Sequence, residues 1–207
     1  MFRLPDAKSV ERNPGQTRLR DLTLSAMPRV TETEYGNLNY EAEITARLKN
    51  STFFVSDNEI HQNRISRAEA TEWAAAQDAH IAGADMLLIE GYIGPDPDFR
   101  TGSRLFIEAT QPNIAAMQAQ LYFPPDEGWE PEFTVIYTPT FGAPGKSDNR
   151  LIVVDLDNWV TRVFGSDYFG ESKMGGLRMW NRLVFDRGGL ALHAGLKTFP
   201  SEATRSG

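Results

Sequence analysis

The feature that most constrains the fold is a run of eight residues, 86–93, which reads Met-Leu-Leu-Ile-Glu-Gly-Tyr-Ile. The run is almost entirely apolar and has the length of a β-strand. It ends at residues 94–98, Gly-Pro-Asp-Pro-Asp, a sequence typical of a turn. A strand without regular polar alternation is typical of a sheet that is covered on both faces. The run therefore predicts a strand with both faces buried.

Further segments of strand and helix type alternate along the chain. β-Branched and aromatic residues predict strands over residues 52–55, 104–110, 133–137, 151–156 and 159–164. Helices are predicted after Ser66, which forms an S-x-x-E capping box with Glu69, from Pro112, and over residues 176–185. Residues 157–158 provide a tight turn between two strands. The predicted fold is therefore α/β, with a mixed β-sheet flanked by helices.

Composition argues against several classes of function. The 207 residues carry a net charge of -7 and no basic stripe, so we expect neither nucleic acid nor a membrane surface as a partner. The absence of cysteine excludes disulfides, zinc–thiolate sites and thiol nucleophiles. Because no apolar run could span a bilayer and the N-terminus lacks an apolar signal core, we expect a cytoplasmic protein.

Polar groups cluster over residues 165–173, which read Gly-Ser-Asp-Tyr-Phe-Gly-Glu-Ser-Lys. The glycines free the backbone for a positive φ or for close approach of a ligand. Tyr168, Glu171 and Lys173 bring a hydroxyl, a carboxylate and an ammonium group to one turn. Taken alone, these residues favour a solvated exit from a hairpin over a ligand site.

The same segment resembles the signature Tyr-x-Gly-Glu-x-Lys-Lys-Gly, followed by a helix that ends in Met and Asn, of ATP-type phosphoenolpyruvate carboxykinases. Seven positions match at unbroken spacing: Tyr168, Gly170, Glu171, Lys173, Gly175, Met179 and Asn181. The resemblance implies that residues 41–195 form the N-terminal, substrate-side domain of that family. Residues 1–40 show no sustained periodicity and predict an irregular arm with room for one short helix, and residues 196–207 predict a polar tail. It also implies that Tyr168 contacts the carboxylate of oxaloacetate or phosphoenolpyruvate and that Lys173 adds positive charge beside the enolate.

Two positions bear on the Mn²⁺ site that the resemblance implies. His193 ends an apolar run, residues 189–193, that predicts a further strand. A lone histidine there is more often a packed residue, but the metal-binding histidine of the family occupies this strand end. The second lysine of the signature, a Mn²⁺ ligand in the family, falls on Met174, whose thioether is a poor ligand for a hard ion. Either Lys173 compensates or the metal chemistry is impaired.

Arg47 lies where the family carries Gly-Arg-Ser-Pro-Lys-Asp-Lys, and only the arginine matches. The resemblance implies that Arg47 binds a substrate carboxylate, and a planar guanidinium is well suited to such a pairing. A surface arginine beside a strand remains the alternative. His61 and His80 gain no support from the resemblance, and His80, in a predicted helix, is interpreted as structural.

The resemblance implies an enzyme that converts oxaloacetate and ATP to phosphoenolpyruvate, CO₂ and ADP in gluconeogenesis, with Mn²⁺ and Mg²⁺–ATP as cofactors. The G-x-x-x-x-G-K-[ST] phosphate loop of the family is not among the 207 residues. We therefore expect a truncated lobe that is inactive alone and lacks its nucleotide-binding domain. The alternative is a degenerate, non-enzymatic lobe that binds a dicarboxylate or a partner protein. A hydrolase ranks last, because no G-x-S-x-G motif is present.

Overall fold

The structure is a computed structural model that describes residues 2–46, 49–58, 63–192, 194–195 and 197. The described residues contain ten strands: β1 (Ser9–Arg12), β2 (Thr31–Glu32), β3 (Leu38–Asn39), β4 (Thr52–Val55), β5 (Arg64–Ile65), β6 (Asp85–Ile93), β7 (Thr101–Glu108), β8 (Phe133–Thr138), β9 (Leu151–Asp155) and β10 (Val160–Phe164). They also contain four α-helices: α1 (Gln16–Ala26), α2 (Arg67–Ile81), α3 (Pro112–Leu121) and α4 (Phe169–Asp186). None of these helices is both long and apolar enough to cross a membrane.

Eight of the strands form one mixed sheet in the order β1-β6-β7-β8-β10-β9-β4-β5. Two neighbouring pairs are antiparallel, β6 with β7 and β9 with β10, and the other five pairs are parallel. β2 and β3 form a separate antiparallel pair. The predicted α/β class with a mixed sheet is therefore confirmed, and the tight turn at residues 157–158 joins an antiparallel pair as expected.

Helices cover both faces of this sheet. α1, α3 and α4 pack on one face, against Leu87 and Ile89 of β6 among others. α2 packs on the opposite face, where Ile81 joins Met86 and Leu88. Successive strand residues point to opposite faces, so one apolar run supplies both cores, and each fully buried side chain contributes about 1.5–3 kcal/mol. The prediction that residues 86–93 form a strand buried on both faces is confirmed.

The predicted start of α2 is confirmed, although only half of the capping box forms. The Ser66 hydroxyl oxygen accepts a hydrogen bond from the backbone N–H of Glu69 at 3.2 Å. The Glu69 carboxylate instead accepts a hydrogen bond from Lys146 Nζ at 2.6 Å. Glu69 therefore forms an ion pair with a distant lysine instead of the second hydrogen bond of the capping box, to the backbone N–H of Ser66.

Residues 2–40, predicted as an irregular arm with room for one short helix, contain helix α1 and also short strands that were not predicted. β1 is an edge strand of the main sheet and pairs in parallel with β6. α1 has eleven residues, and its Leu19 is fully buried. The side chains of β1 are mostly exposed, so no apolar pattern marks this strand in the sequence. Backbone pairing with β6 is what places it in the sheet.

The C-terminal part of the candidate domain also differs from the prediction. α4 begins at Phe169, so the glycine-rich segment expected to form a turn lies largely within the helix. Gly175 and Gly176 allow the helix to approach the sheet, since a Cβ at Gly175 would lie 2.8 Å from Val135 Cγ2. Residues 189–192 do not form the expected strand, and Leu190 is 80% exposed.

Candidate functional site

A cavity of about 840 Å³ lies between α1, α3 and the turn that follows β10, and its wall includes Tyr168. Its volume is typical of ligand pockets. The wall is rich in amide and hydroxyl side chains, among them Gln16, Thr17, Asn37, Asn39, Asn113 and Gln120. Arg20 also lines the cavity, but it forms an ion pair with Glu32 at 2.8 Å. Apolar side chains such as Val30, Leu38 and Met117 also line the cavity, and Asp167 supplies the one carboxylate of the described wall.

Tyr168 is held in this wall by contacts to its backbone and to its ring. Its N–H donates to Ser166 Oγ at 3.2 Å, and its carbonyl accepts from the Tyr137 hydroxyl at 2.7 Å. Its ring lies against Gly170, where a Cβ would be only 2.3 Å from Tyr168 Cε1. Glycine at position 170 therefore leaves the space that the tyrosine ring occupies. Gly165, at φ +63°, makes the turn that leads into this segment.

Asp167 connects the Tyr168 turn to a distant part of the chain. Its carboxylate accepts hydrogen bonds from the backbone N–H groups of Glu43 and Ile44, at 2.8 and 3.1 Å. It also accepts from the Tyr40 hydroxyl at 3.0 Å. Burial and this contact with Asp167 raise the pKa of Tyr40. One carboxylate thus binds residues more than 120 positions earlier in the sequence.

Lys173 lies on α4 and is exposed. It lines a second cavity, of about 250 Å³, with Tyr122, Gln118 and Leu177 among its neighbours. Tyr168 is not part of that wall. Lys173 and Tyr168 therefore lie in the walls of two different cavities, although binding of one substrate by both would require them to lie close together.

Met174 is buried, with 8% of its surface exposed. It shares a face of α4 with Glu171 and Arg178, because positions three and four apart are neighbours on a helix. Both of these charged residues are buried, and Arg178 Nη2 donates to Glu171 Oε2 at 2.8 Å. Lys173 points about 100° away around the helix axis. The amine of Lys173 is therefore not positioned to replace the lysine expected at position 174.

His80 contacts protein groups on two sides. Its Nε2 lies 2.6 Å from Glu108 Oε1, and its ring stacks on Phe141 with the centroids 4.7 Å apart. Thr140 donates to the same carboxylate oxygen at 2.6 Å. These contacts agree with the interpretation of His80 as a structural residue.

Comparison with known proteins identifies the family. A sequence model described as phosphoenolpyruvate carboxykinase matches residues 8–204. The chain belongs to the phosphoenolpyruvate carboxykinase family. This match spans the whole sheet and all four helices.

Three relatives agree with this result, and each is named phosphoenolpyruvate carboxykinase (ATP). The protein from Caldanaerobacter subterraneus is 25% identical over 74% of this chain and 32% of its own length. One from Moorella thermoacetica, numbered 2, is 25% identical over 95% of this chain and 40% of its own length. That from Brevibacillus brevis is 28% identical over 78% of this chain and 34% of its own length. The chain thus spans between about a third and two fifths of these carboxykinases.

Two of the residues that the carboxykinase resemblance selected, Arg47 and His193, lie outside the described residues, as does His61. The roles that the resemblance implies for Arg47 and His193 stay predictions. Among the described residues, no group of three or more His, Cys, Asp or Glu side chains could hold a metal ion. The described side chains that bear on a carboxykinase site are therefore Tyr168, Lys173 and Met174.

Sequence reasoning missed Asp167 and Tyr40. Asp167 precedes the signature tyrosine directly, and this adjacency was the one signal available. Its partners at positions 40, 43 and 44 carry no local pattern that would reveal the contact. The role of Gly170 as space for the Tyr168 ring was also missed, because the glycine was taken as a source of backbone freedom.

Proposed function

We propose that these residues form the substrate-binding lobe of an ATP-type phosphoenolpyruvate carboxykinase, which converts oxaloacetate and ATP to phosphoenolpyruvate, CO₂ and ADP. Family membership over residues 8–204 supports the reaction class. The observation that carries the proposal is the position of the signature tyrosine, Tyr168, in the wall of a ligand-sized cavity. Gluconeogenesis in the cytoplasm is the setting that we propose for this reaction.

In this proposal the substrate is a small dicarboxylate. Tyr168 would donate a hydrogen bond from its hydroxyl to one carboxylate of oxaloacetate, and Arg47 would pair with a carboxylate through its guanidinium. Loss of CO₂ leaves the electron pair of the broken C–C bond on an enolate. A positive charge placed near the enolate oxygen stabilises that product. Lys173 is the candidate for this charge, which requires its flexible side chain to reach from the second cavity.

The described residues do not fit the Mn²⁺ site that the resemblance implies. His193 would be one ligand, but Met174 presents a thioether where the family has an amine, and hard cations bind thioethers poorly. Lys173 lies on another side of α4.

We assign nucleotide binding to none of the 207 residues. Gly145-Lys146-Ser147 resembles the end of a phosphate loop, but position 140, where that loop needs a glycine, is Thr140. One short 3₁₀ turn (Ser147–Asn149) and then strand β9 follow instead of an α-helix, and Lys146 is paired with Glu69. We infer that ATP and Mg²⁺ bind a nucleotide-binding domain outside these residues, and that these residues alone do not turn over.

A second candidate function is a degenerate lobe that binds a dicarboxylate or a partner protein without catalysis. Met174 favours this candidate, and so does the loss of the family motif around Arg47. The coding DNA separates the two candidates. An in-frame continuation into a G-K-[ST] loop supports the enzyme, whereas a stop codon after Gly207 supports the binding lobe.

Titration calorimetry with L-malate, a stable dicarboxylate, tests the shared part of both proposals. We expect binding by the protein and about tenfold weaker binding by Tyr168→Phe, because one hydrogen bond to a charged group is lost. Tyr35→Phe, at a tyrosine that is 82% exposed, is the matched control and should bind as the original protein does. If malate binds equally well to Tyr168→Phe, the assignment of the substrate site is wrong.

An activity assay tests the catalytic part. We expect no ADP formation that depends on oxaloacetate from the 207 residues alone. Such ADP formation, if it survived repurification, would show that the proposed need for a further nucleotide domain is wrong.

A further inference from the structure

We propose that Asn113 is a specificity-determining residue, whose side-chain amide contacts the oxygen on C2 of the dicarboxylate that Tyr168 binds. That oxygen is the keto oxygen of oxaloacetate and the hydroxyl oxygen of L-malate. The inference rests on the proposed function, because it requires the dicarboxylate to lie in the Tyr168 cavity. It adds a residue of α3, outside the segment that carries the family signature.

Asn113 lies in the first turn of α3 and lines the cavity whose wall includes Tyr168. The other residues of α3 in this wall are Ala116, Met117 and Gln120. Residues three and four positions apart share one face of a helix, so a single face of α3 forms this part of the wall. Asn113 therefore supplies the polar group at the N-terminal end of that face.

α3 and α4 lie side by side and run in the same direction. Ser172 Oγ of α4 donates a hydrogen bond to Gln118 Oε1 of α3 at 2.9 Å. One turn further along each helix, Tyr122 and Gly176 line the same small cavity. The two contacts advance by four residues in both chain segments, which requires that the helices share one direction.

This alignment places Asn113 level with Tyr168. A helix rises 1.5 Å per residue, so Asn113 lies about 7.5 Å before Gln118 along α3. Tyr168 lies about 6 Å before Ser172 along α4 by the same measure. Both residues therefore lie at the same end of the paired helices, in the wall of one cavity.

A second set of contacts joins the start of α3 to the Tyr168 turn. The carboxylate of Asp167, which directly precedes Tyr168, accepts a hydrogen bond from the Tyr40 hydroxyl at 3.0 Å. Burial and this contact raise the pKa of Tyr40, and the Gln111 side chain beside the hydroxyl opposes the rise. Gln111 is only two residues before Asn113. The first turn of α3 and the Tyr168 turn are therefore neighbours.

The amide of Asn113 has no hydrogen-bond partner among the described residues, and its Oδ1 is buried. By contrast, Gln120 Nε2 in the same wall donates to Gln16 Oε1 at 3.2 Å. A buried polar atom without a partner is unfavourable, so a ligand that supplies one gains affinity. The terminal torsion of asparagine is broad, so the amide can turn either its donor or its acceptor toward a keto or hydroxyl oxygen.

Calorimetric titration with L-malate and succinate tests this role, because succinate lacks only the C2 hydroxyl of malate. We expect the protein to bind malate about tenfold more tightly than succinate, since a polar site loses affinity when the hydroxyl that it pairs with is absent. Asn113→Leu should reduce this preference to less than about twofold and leave succinate affinity nearly unchanged.

Asn113→Asp is a second variant, and an acidic residue suits the first turn of a helix. It should weaken the binding of both ligands about tenfold, because its charge repels their carboxylates. Gln120→Leu is the matched control, since it removes an amide about 10 Å further along the same face of α3. This variant should keep the preference for malate. Far-UV circular dichroism checks the fold of each variant.

The contradicting outcomes are distinct. Equal binding of malate and succinate by the original protein would show that the cavity does not recognise the C2 oxygen. An unchanged preference in folded Asn113→Leu would show that another residue recognises it. If Asn113→Leu does not fold, unchanged binding of both ligands by Asn113→Asp would contradict the role. Failure of the unsubstituted, folded protein to bind either dicarboxylate would reject the proposed function itself, and with it this role for Asn113.

Discussion

The central sheet and the cavity wall are stabilised by different kinds of interaction. Every residue of β7 and β8 is buried, and their backbones are paired on both sides within the sheet. Residues 40–46 belong to no strand or helix, and the contacts that fix them run through side chains such as Asp167. Substitutions in the sheet should therefore reduce stability, whereas substitutions at the cavity should reduce ligand binding with little loss of stability.

The largest effect is expected in the sheet, at Leu105. Its side chain is fully buried in the core beneath α3, so Leu105→Ala removes apolar contacts and leaves a cavity. We expect the free energy of unfolding to fall by about 2–5 kcal/mol, measured by urea denaturation. Leu190→Ala, at an 80% exposed leucine, is the control and should change it by less than about 0.5 kcal/mol. Equal effects of the two substitutions would contradict the proposed difference between the regions.

This contrast also explains which parts of the fold the sequence predicts. β4 was predicted with the bounds that the structure has. α2 begins directly after Ser66 and α3 begins at Pro112, as predicted, because local propensity and capping suffice there. β1 and the early start of α4 were missed. The first depends on pairing with β6, and the second on packing of Gly175 against Val135. Both are long-range interactions without a local pattern.

The candidate site depends even more on long-range contacts that leave no local sequence pattern. The resemblance selected Tyr168, and the structure places it at a cavity. The separation of Lys173 from that cavity does not follow from the prediction that residues 165–173 form one turn. It arises because Lys173 lies in α4, where successive side chains point about 100° apart. The hydrogen bonds of Asp167 could not be predicted from the sequence, because its partners lie more than 120 residues away and only its position beside Tyr168 draws attention to it.

The second largest effect is expected at alkaline pH, through Tyr122 beside the sheet. Burial of its hydroxyl raises the pKa of Tyr122 to about 12, against an ordinary value near 10. Between these values the folded protein keeps the proton that the unfolded chain loses, so stability falls as the pH rises from about 10 through about 12. At pH 11 the loss through this residue should be about 1–2 kcal/mol.

Urea denaturation at pH 9 and pH 11 measures this loss. Tyr122→Phe should lose less stability between the two pH values than the original protein, because it has no hydroxyl to ionise. Tyr137 is also buried with a raised pKa, and its contribution is common to both proteins. Tyr35→Phe should behave as the original protein does. If Tyr122→Phe loses as much stability as the original protein, the Tyr122 hydroxyl is not protected from ionisation in the fold.

A smaller effect, confined to the cavity, is expected for Gly170→Ala. The new Cβ would lie 2.3 Å from Tyr168 Cε1, so the ring must move from its position. We expect about fivefold weaker malate binding, about 1 kcal/mol, with little loss of stability because alanine favours the helix. Gly83→Ala, where the new Cβ would lie no closer than 3.7 Å to His80 O, is the matched control. A large fall in stability with unchanged malate binding would contradict the expectation that substitutions at the cavity affect ligand binding rather than stability.

The smallest effect concerns Met174, a buried residue of α4. If it occupies the place of the metal-binding lysine, Met174→Lys should strengthen Mn²⁺ binding about threefold, because an amine is a better ligand for this ion than a thioether. The gain should increase with pH, since the metal and a proton compete for the amine. Met174→Gln has a similar length but no amine and serves as the control. His193→Ala should abolish the gain, because both ligands would bind one ion. Calorimetric titration with Mn²⁺ that shows no gain for a folded Met174→Lys would mean that the alignment of Met174 with that lysine is wrong.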